Sequence, residues 1–150
     1  MGRDAERVLE LHGNTTHFYC FDCYHPYTMG EVARMLETSE IPLCTACGGV
    51  LRPDVVLFGE LLPAGVVAEA ERAAQMCDLM LVVGSSLVVY PAAGLPYQAK
   101  HSGARLAIVN IDPTPLDDLA DLCLHRPAGE VLPPAVAMAL AGNAQGSQPS

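Results

Sequence analysis

Apolar positions in this chain fall into short runs separated by stretches of helical spacing. Val8-Leu9-Glu10-Leu11-His12-Gly13-Asn14 reads as a short strand running into a glycine-containing turn. Between Thr28 and Thr38, Met29, Val32, Met35 and Leu36 recur at helical spacing and predict one helix. Val55-Val56-Leu57-Phe58-Gly59 predicts a strand. Ala64 to Met76 is rich in Ala and Glu with Pro63 at its head, which predicts a helix. Leu79 to Val83 predicts a strand ending at Gly84-Ser85-Ser86. Pro91 to His101 predicts a helix, with Gly103 beyond its end. Arg105 to Ile111 predicts a strand ending at Asp112-Pro113, and Glu130 to Leu140 a last helix. The tail from Gly142 to Ser150 has the composition of a disordered segment. Alternating strands and helices with short loops predict an α/β fold, part of a doubly wound parallel, Rossmann-like sheet. On this reading residues 1–15 and 53–140 form a partial Rossmann-like domain, 16–52 a small Cys-rich insert and 141–150 a tail.

Composition narrows the picture. Half of the 150 residues are apolar (51%), and the mean hydropathy is +0.27. The longest apolar runs, Leu79–Val83 and Leu106–Val109, are far short of the ~20 residues that span a bilayer. They read as strands buried on both faces, as in a parallel sheet covered by helices. No membrane partner is expected. A net charge of −9 argues against nucleic-acid binding by a basic face. The N-terminus, Met1-Gly2-Arg3-Asp4, has no hydrophobic core of a secretory signal, and the expected compartment is the cytoplasm.

Cys20-Phe-Asp-Cys23 and Cys44-Thr-Ala-Cys47 are two C-x-x-C pairs separated by 20 residues. At that spacing Cys20, Cys23, Cys44 and Cys47 read as a closed tetrahedral Zn2+ site. Two residues between ligands let a tight knuckle aim both sulfurs at one cation. Four thiolates leave no position for water or substrate, so the metal is structural and the chemistry lies elsewhere. The alternative is a redox or disulfide pair. Cys77 and Cys123, among apolar neighbours, read as small core residues.

In parallel sheets, ligands bind outside the carboxyl ends of the strands. Gly84-Ser85-Ser86 offers amides and hydroxyls at one strand exit, suited to phosphate or ribose oxygens. Asn110-Ile111-Asp112 places a carboxylate at the next, where nucleotide-binding sheets hold ribose hydroxyls. Together they suggest a nucleotide site.

Eight stretches stand in a familiar order: Glu10-Leu11-His12-Gly13, the two C-x-x-C pairs, Arg52-Pro53-Asp54-Val55-Val56-Leu57-Phe58-Gly59-Glu60, Val83-Gly84-Ser85-Ser86, Val89-Tyr90-Pro91-Ala92-Ala93, Val109-Asn110-Ile111-Asp112 and Arg126-Pro127-Ala128-Gly129-Glu130. Spread over about residues 3–140, this pattern resembles the sirtuins, NAD-dependent protein lysine deacylases. The resemblance implies that His12 is the catalytic base. It implies that Val56, Phe58, Gly59 and Glu60 on one side, and Val88, Val89 and Tyr90 on the other, flank an acetylated-lysine peptide that adds as an extended strand. Gly84, Ser85 and Ser86 would contact NAD, Asn110, Ile111 and Asp112 its adenosine ribose, and Ala128 the adenine. The implied reaction transfers the acyl group from lysine to ADP-ribose, releasing nicotinamide. His12 takes the proton of the ribose hydroxyl that attacks the acyl carbon.

Leu57 stands where many sirtuins carry Trp, and Ser85 where many carry Thr. The family's Gly-Ala-Gly loop and Gln-Asn-Ile-Asp motif have no counterpart, so the resemblance covers the C-terminal portion of the fold without the N-terminal NAD-binding segment. That implies an open sheet edge suited to self-association or complementation. The alternative to a deacetylase is an inactive zinc-containing module that binds peptides or proteins.

Overall fold

The computed structural model describes residues 8–145. Element order is β1 (Gly13–Cys20), β2 (Pro26–Thr28), α1 (Met29–Leu36), β3 (Leu51–Val55), α2 (Ala64–Met76), β4 (Leu79–Val83), α3 (Leu95–His101), β5 (Arg105–Val109), β6 (Leu122–Leu124) and α4 (Ala128–Gln145). These fall into two compact units, divided between Val67 and Ala68.

The first unit is built on an antiparallel sheet of order β2-β1-β3. Its first strand begins at Gly13, not Val8. Leu11 and His12 form a turn, and Gly13 (φ +68°) swings the chain alongside Asp54 and Val55. A Cβ at Gly13 would collide with the Asp54 carbonyl oxygen, so glycine is required there. The β1–β3 register shifts between Asn14 and Phe18. Asn14 Oδ1 accepts from the N–H groups of Thr16 (2.9 Å) and His17 (3.2 Å), donors the bulge removes from the ladder. The strand expected over Val55–Gly59 lies upstream, at Leu51–Val55, and the run from Val56 onward is loop. Pro53 is tolerated because β3 is an edge strand of this sheet. Helix α1 lies within the expected Thr28–Thr38 span, ending two residues short of it, and starts with a capping box: Glu31 N–H donates to Thr28 Oγ1 (3.3 Å) and Thr28 N–H to Glu31 Oε2 (2.8 Å). The core of this unit is small. Cys20, Tyr27, Val32, Cys44 and Leu51 are buried, with Phe18 and Met35 packed on them.

The second unit carries a parallel sheet of order β4-β5-β6. Central β5 buries Leu106 and Ile108 completely, against Val82, Leu87 and Ala93. Ala74 of α2, Ala99 of α3 and Ala104, just before β5, pack in one cluster, and their small side chains allow close approach. Both α2 and β4 match their expected bounds. The expectation that β4 is buried on both faces is not met. Its side chains alternate, and Leu79, Leu81 and Val83 are exposed while Val82 turns into the core. Among the described residues β4 pairs only with β5, so it is an edge strand.

The helix expected over Pro91–His101 divides into a tight 3-10 turn at Ala92–Gly94 and α3, which Pro96 helps initiate. The strand expected to reach Ile111 stops at Val109, where the Asn110 side chain bonds the Asp112 carbonyl (2.8 Å) and turns the chain. Strand β6 is too short to register as a pattern. The last helix runs from Ala128 to Gln145, with Pro133 and Pro134 inside it, so residues 142–145 are helical where a disordered tail is expected. Each proline removes one backbone donor from the helix. Residues 1–7 and 146–150, part of the first expected domain and of the expected tail, lie outside the described residues. No helix among the described residues is long and apolar enough to cross a membrane.

Candidate functional site

The four spaced cysteines converge in the first unit. Cys20 Sγ lies 3.4 Å from Cys47 Sγ, and Cys23 Sγ lies 3.6 Å from Cys44 Sγ. All four sulfurs lie within 4.8 Å of one another. Ligands 2.3 Å from one tetrahedral cation sit about 3.8 Å apart, so the cluster is compatible with zinc. A disulfide needs sulfurs near 2.05 Å, and all four are free thiols. The two knuckles are alike. Tyr24 N–H returns to the Cys20 carbonyl (2.9 Å), and Gly48 N–H to the Cys44 carbonyl (2.8 Å). Tyr24 and Gly48, each following the second cysteine of its pair, have positive φ (59° and 78°).

The sulfurs are not electrostatically equal. Tyr27, buried beside them, donates its hydroxyl to Cys44 Sγ (3.2 Å), and its oxygen accepts Thr45 N–H (2.9 Å). The Tyr27 bond is the largest influence pulling the Cys44 thiol down to about 6, with help from the Ala46 amide. At Cys47 the Gly49 amide pulls down, but the sulfurs of Cys23 and Cys20 outweigh it and push the thiol up to about 12. Four crowded sulfurs resist losing all their protons, and a divalent cation removes that resistance. Spacing identifies the cysteines and says nothing of Tyr27. Its only sequence signal is a tyrosine four residues past the first knuckle.

His12 is exposed, on the turn between Glu10 and Gly13. Gly13 N–H donates to the Glu10 carbonyl (3.2 Å), and Val56 N–H donates to the His12 carbonyl (3.0 Å). The turn bearing the imidazole is thus pinned to the start of the Val56–Glu60 segment. Glu10 and Gly13, on either side of His12, line a cavity of about 260 Å³ with Leu9, Val56, Pro63 and Val66.

The Val56–Glu60 loop is held by a fork that sequence reasoning missed. Arg52 donates to Glu60 Oε1 (2.7 Å) and Oε2 (2.8 Å), and to the Val55 carbonyl (3.0 Å). Leu57 N–H donates to Glu60 Oε2 (2.9 Å). Arg52, then Leu57, holds the Glu60 carboxyl down to about 2. Both Glu60 oxygens are therefore engaged within the chain, and Phe58 beside them is fully exposed. The signal lay in opposite charges at the two ends of Arg52–Glu60. Outward-facing apolar side chains recur in the second unit, where Val88, Val89 and Tyr90 are exposed beyond the positive-φ Leu87.

In the second unit, Gly84-Ser85-Ser86 and Asn110-Ile111-Asp112 follow adjacent parallel strands. Gly84 N–H donates to the Val109 carbonyl (2.9 Å) and Asn110 N–H to the Leu124 carbonyl (3.2 Å), so both segments leave the same end of the sheet. Gly84 has φ +59°, a turn conformation that suits glycine. Ser85, Ser86, Ile111 and Asp112 are exposed there, and Ala128 opens α4 after the third strand. His17, His25 and His101 have local roles only: His25 lies edge-on to Tyr27, and His101 bonds the Tyr97 carbonyl.

The chain is similar to known proteins over most of its length. The Sir2 family model matches residues 2–91. An NAD-dependent protein deacetylase of Thermotoga maritima is 48% identical over 118 residues, 79% of this chain and 48% of that protein. An NAD-dependent protein deacylase 2 of Archaeoglobus fulgidus is 49% identical over 130 residues, 86% of this chain and 51% of the relative. The chain spans about half the length of the curated relatives it matches. Among solved structures, Sir2Tm bound to a propionylated peptide aligns with TM-score 0.80 at 46% identity, covering 82% of this chain and 52% of that one. A Sir2–p53 peptide–NAD+ complex aligns at 0.79 and 46%, covering 82% and 51%. The chain belongs to the Sir2 family.

Proposed function

We propose that this chain is the zinc-, base- and ribose-binding portion of an NAD-dependent protein lysine deacylase. The observation that carries the reading is the family match over residues 2–91, with relatives named NAD-dependent protein deacetylase and deacylase at 48% and 49% identity. Zn2+ occupies the Cys20, Cys23, Cys44 and Cys47 cluster. With four thiolates the shell is closed, so the ion fixes the fold and takes no part in chemistry. NAD is consumed as a substrate and supplies the ribose that receives the acyl group. His12 accepts the proton of a ribose hydroxyl, a task suited to imidazole near neutral pH. Its turn is held by Gly13 and Val56, so the ring is offered from a fixed backbone. Val56–Glu60 and Val88–Tyr90 each offer exposed, partly apolar chain to an extended acyl-lysine peptide. Solved relatives bound to acetylated and propionylated peptides support that partner. Gly84–Ser86, Asn110–Asp112 and Ala128 meet the nucleotide. The free edge of β4, with Leu79, Leu81 and Val83 exposed, supports pairing with a further strand from a second chain.

The test is a mass-spectrometric assay of the chain with an acetyl-lysine peptide, with and without NAD. NAD-dependent deacetylation with O-acetyl-ADP-ribose is expected. No product from a folded, zinc-loaded sample that still binds the peptide would leave a binding module in place of an enzyme.

A further inference from the structure

Cys123 and His125 stand two residues apart at the end of β6, a spacing that puts both side chains on one face of an extended chain. They meet Asp117, from the 3-10 turn Asp117–Leu119. His125 Nε2 lies 3.7 Å from Cys123 Sγ and 3.1 Å from Asp117 Oδ2, and the three donor atoms lie within 4.8 Å of one another. Ligands 2.0–2.3 Å from one tetrahedral cation are separated by about 3.3–3.8 Å; the thiol–imidazole distance falls in that range and the imidazole–carboxylate distance just below it.

Two other readings compete. A Cys-His-Asp nucleophile relay needs the thiol and the carboxylate on opposite ring nitrogens. Here both converge on the same atom, Nε2, as donors around a common centre do. A plain turn staple accounts for part of Asp117, whose oxygens accept Thr114 Oγ1–H (2.6 Å) and Thr114 N–H (3.1 Å). It does not account for a thiol and an imidazole brought to the same carboxylate. The staple instead orients Asp117, as outer partners orient metal ligands.

We propose that Asp117, Cys123 and His125 bind one divalent transition cation of the zinc class, in a site separate from the four-cysteine cluster. A thiolate, a carboxylate and a neutral imidazole together neutralise a 2+ charge. Three protein ligands leave a fourth position for water or an external donor. The His125 side chain is 42% exposed, so that position is open to entry. The ion would tie β6 to the connection that follows β5. None of this rests on the deacylase reading.

The test is a metal count. The reduced full chain and its Cys123→Ser and His125→Gln variants are dialysed against buffered micromolar Zn2+, and bound zinc per chain is measured by plasma mass spectrometry. Each variant is expected to bind one zinc fewer than wild type. Cobalt loading of zinc-primed protein should give a thiolate charge-transfer band that both variants lose. Equal zinc content in wild type and the His125→Gln variant overturns the proposal. Because His125 lies at the surface and outside the core, that variant is expected to fold even where Cys123→Ser disturbs the core.

Discussion

Replacing Tyr27 with Phe removes one hydroxyl and leaves a ring of nearly the same shape in the core of the first unit. The hydroxyl donates to Cys44 Sγ (3.2 Å), accepts Thr45 N–H (2.9 Å) and lies 3.1 Å from Thr45 Oγ1. Losing the bond from Thr45 N–H should cost about 1 kcal/mol of unfolding free energy. The effect on metal is larger. With the hydroxyl gone, the Cys44 thiol loses the main influence holding it down to about 6. It moves back toward the ordinary value of 9.0 and must shed a proton at neutral pH to take a cation. Outer-shell hydrogen bonds to metal ligands are typically worth about 10- to 100-fold in affinity, and that loss is expected here. The gap should narrow as pH rises toward about 9, where the thiol ionises unaided. Competition for zinc with a chromophoric chelator, at neutral and alkaline pH, measures both quantities. Affinities within twofold of each other at neutral pH would refute the role given to Tyr27.

Gly13→Ala should destabilise the first unit by more than ~1 kcal/mol, because a side chain is unfavourable at positive φ and its Cβ meets the Asp54 carbonyl; an unchanged urea midpoint contradicts this. Thr28→Ala should cost about 1 kcal/mol through loss of the α1 cap, read from thermal unfolding. Glu60 has a folded carboxyl value near 2, below its ordinary 4.5, so its contribution is full above about pH 4.5 and is lost as pH falls toward 2. Wild type and Glu60→Gln should therefore differ in stability near about pH 6 and converge near about pH 2; a gap that stays constant across that range argues against the Arg52–Glu60 fork.

Legibility in the sequence followed how local each cause was. Ala64–Met76 and Leu79–Val83 were legible to the residue because their signals are contiguous: a proline at a helix head, and an apolar run closed by glycine. Val56–Gly59 read as strand because its pattern is apolar, but its path is set by Arg52 reaching Glu60, eight residues away. The exposure of β4 could not be read either, since a run of Leu and Val is the same whether one face or both are covered. The cysteines are placed by spacing alone. Tyr27 joins them through tertiary folding, and Asp117 meets Cys123 and His125 in the same way. The role of His12 came from the family resemblance. What the structure adds is the pair of backbone hydrogen bonds and the glycine that hold its turn.

The role of His12 is tested most directly by turnover of an acetyl-lysine peptide with NAD by the wild-type chain and by His12→Ala, read by mass spectrometry as O-acetyl-ADP-ribose. Product is expected from wild type and is lost in His12→Ala, with zinc content and circular dichroism unchanged, since the side chain is exposed and only its carbonyl holds Val56. Equal product from the two chains would contradict that role.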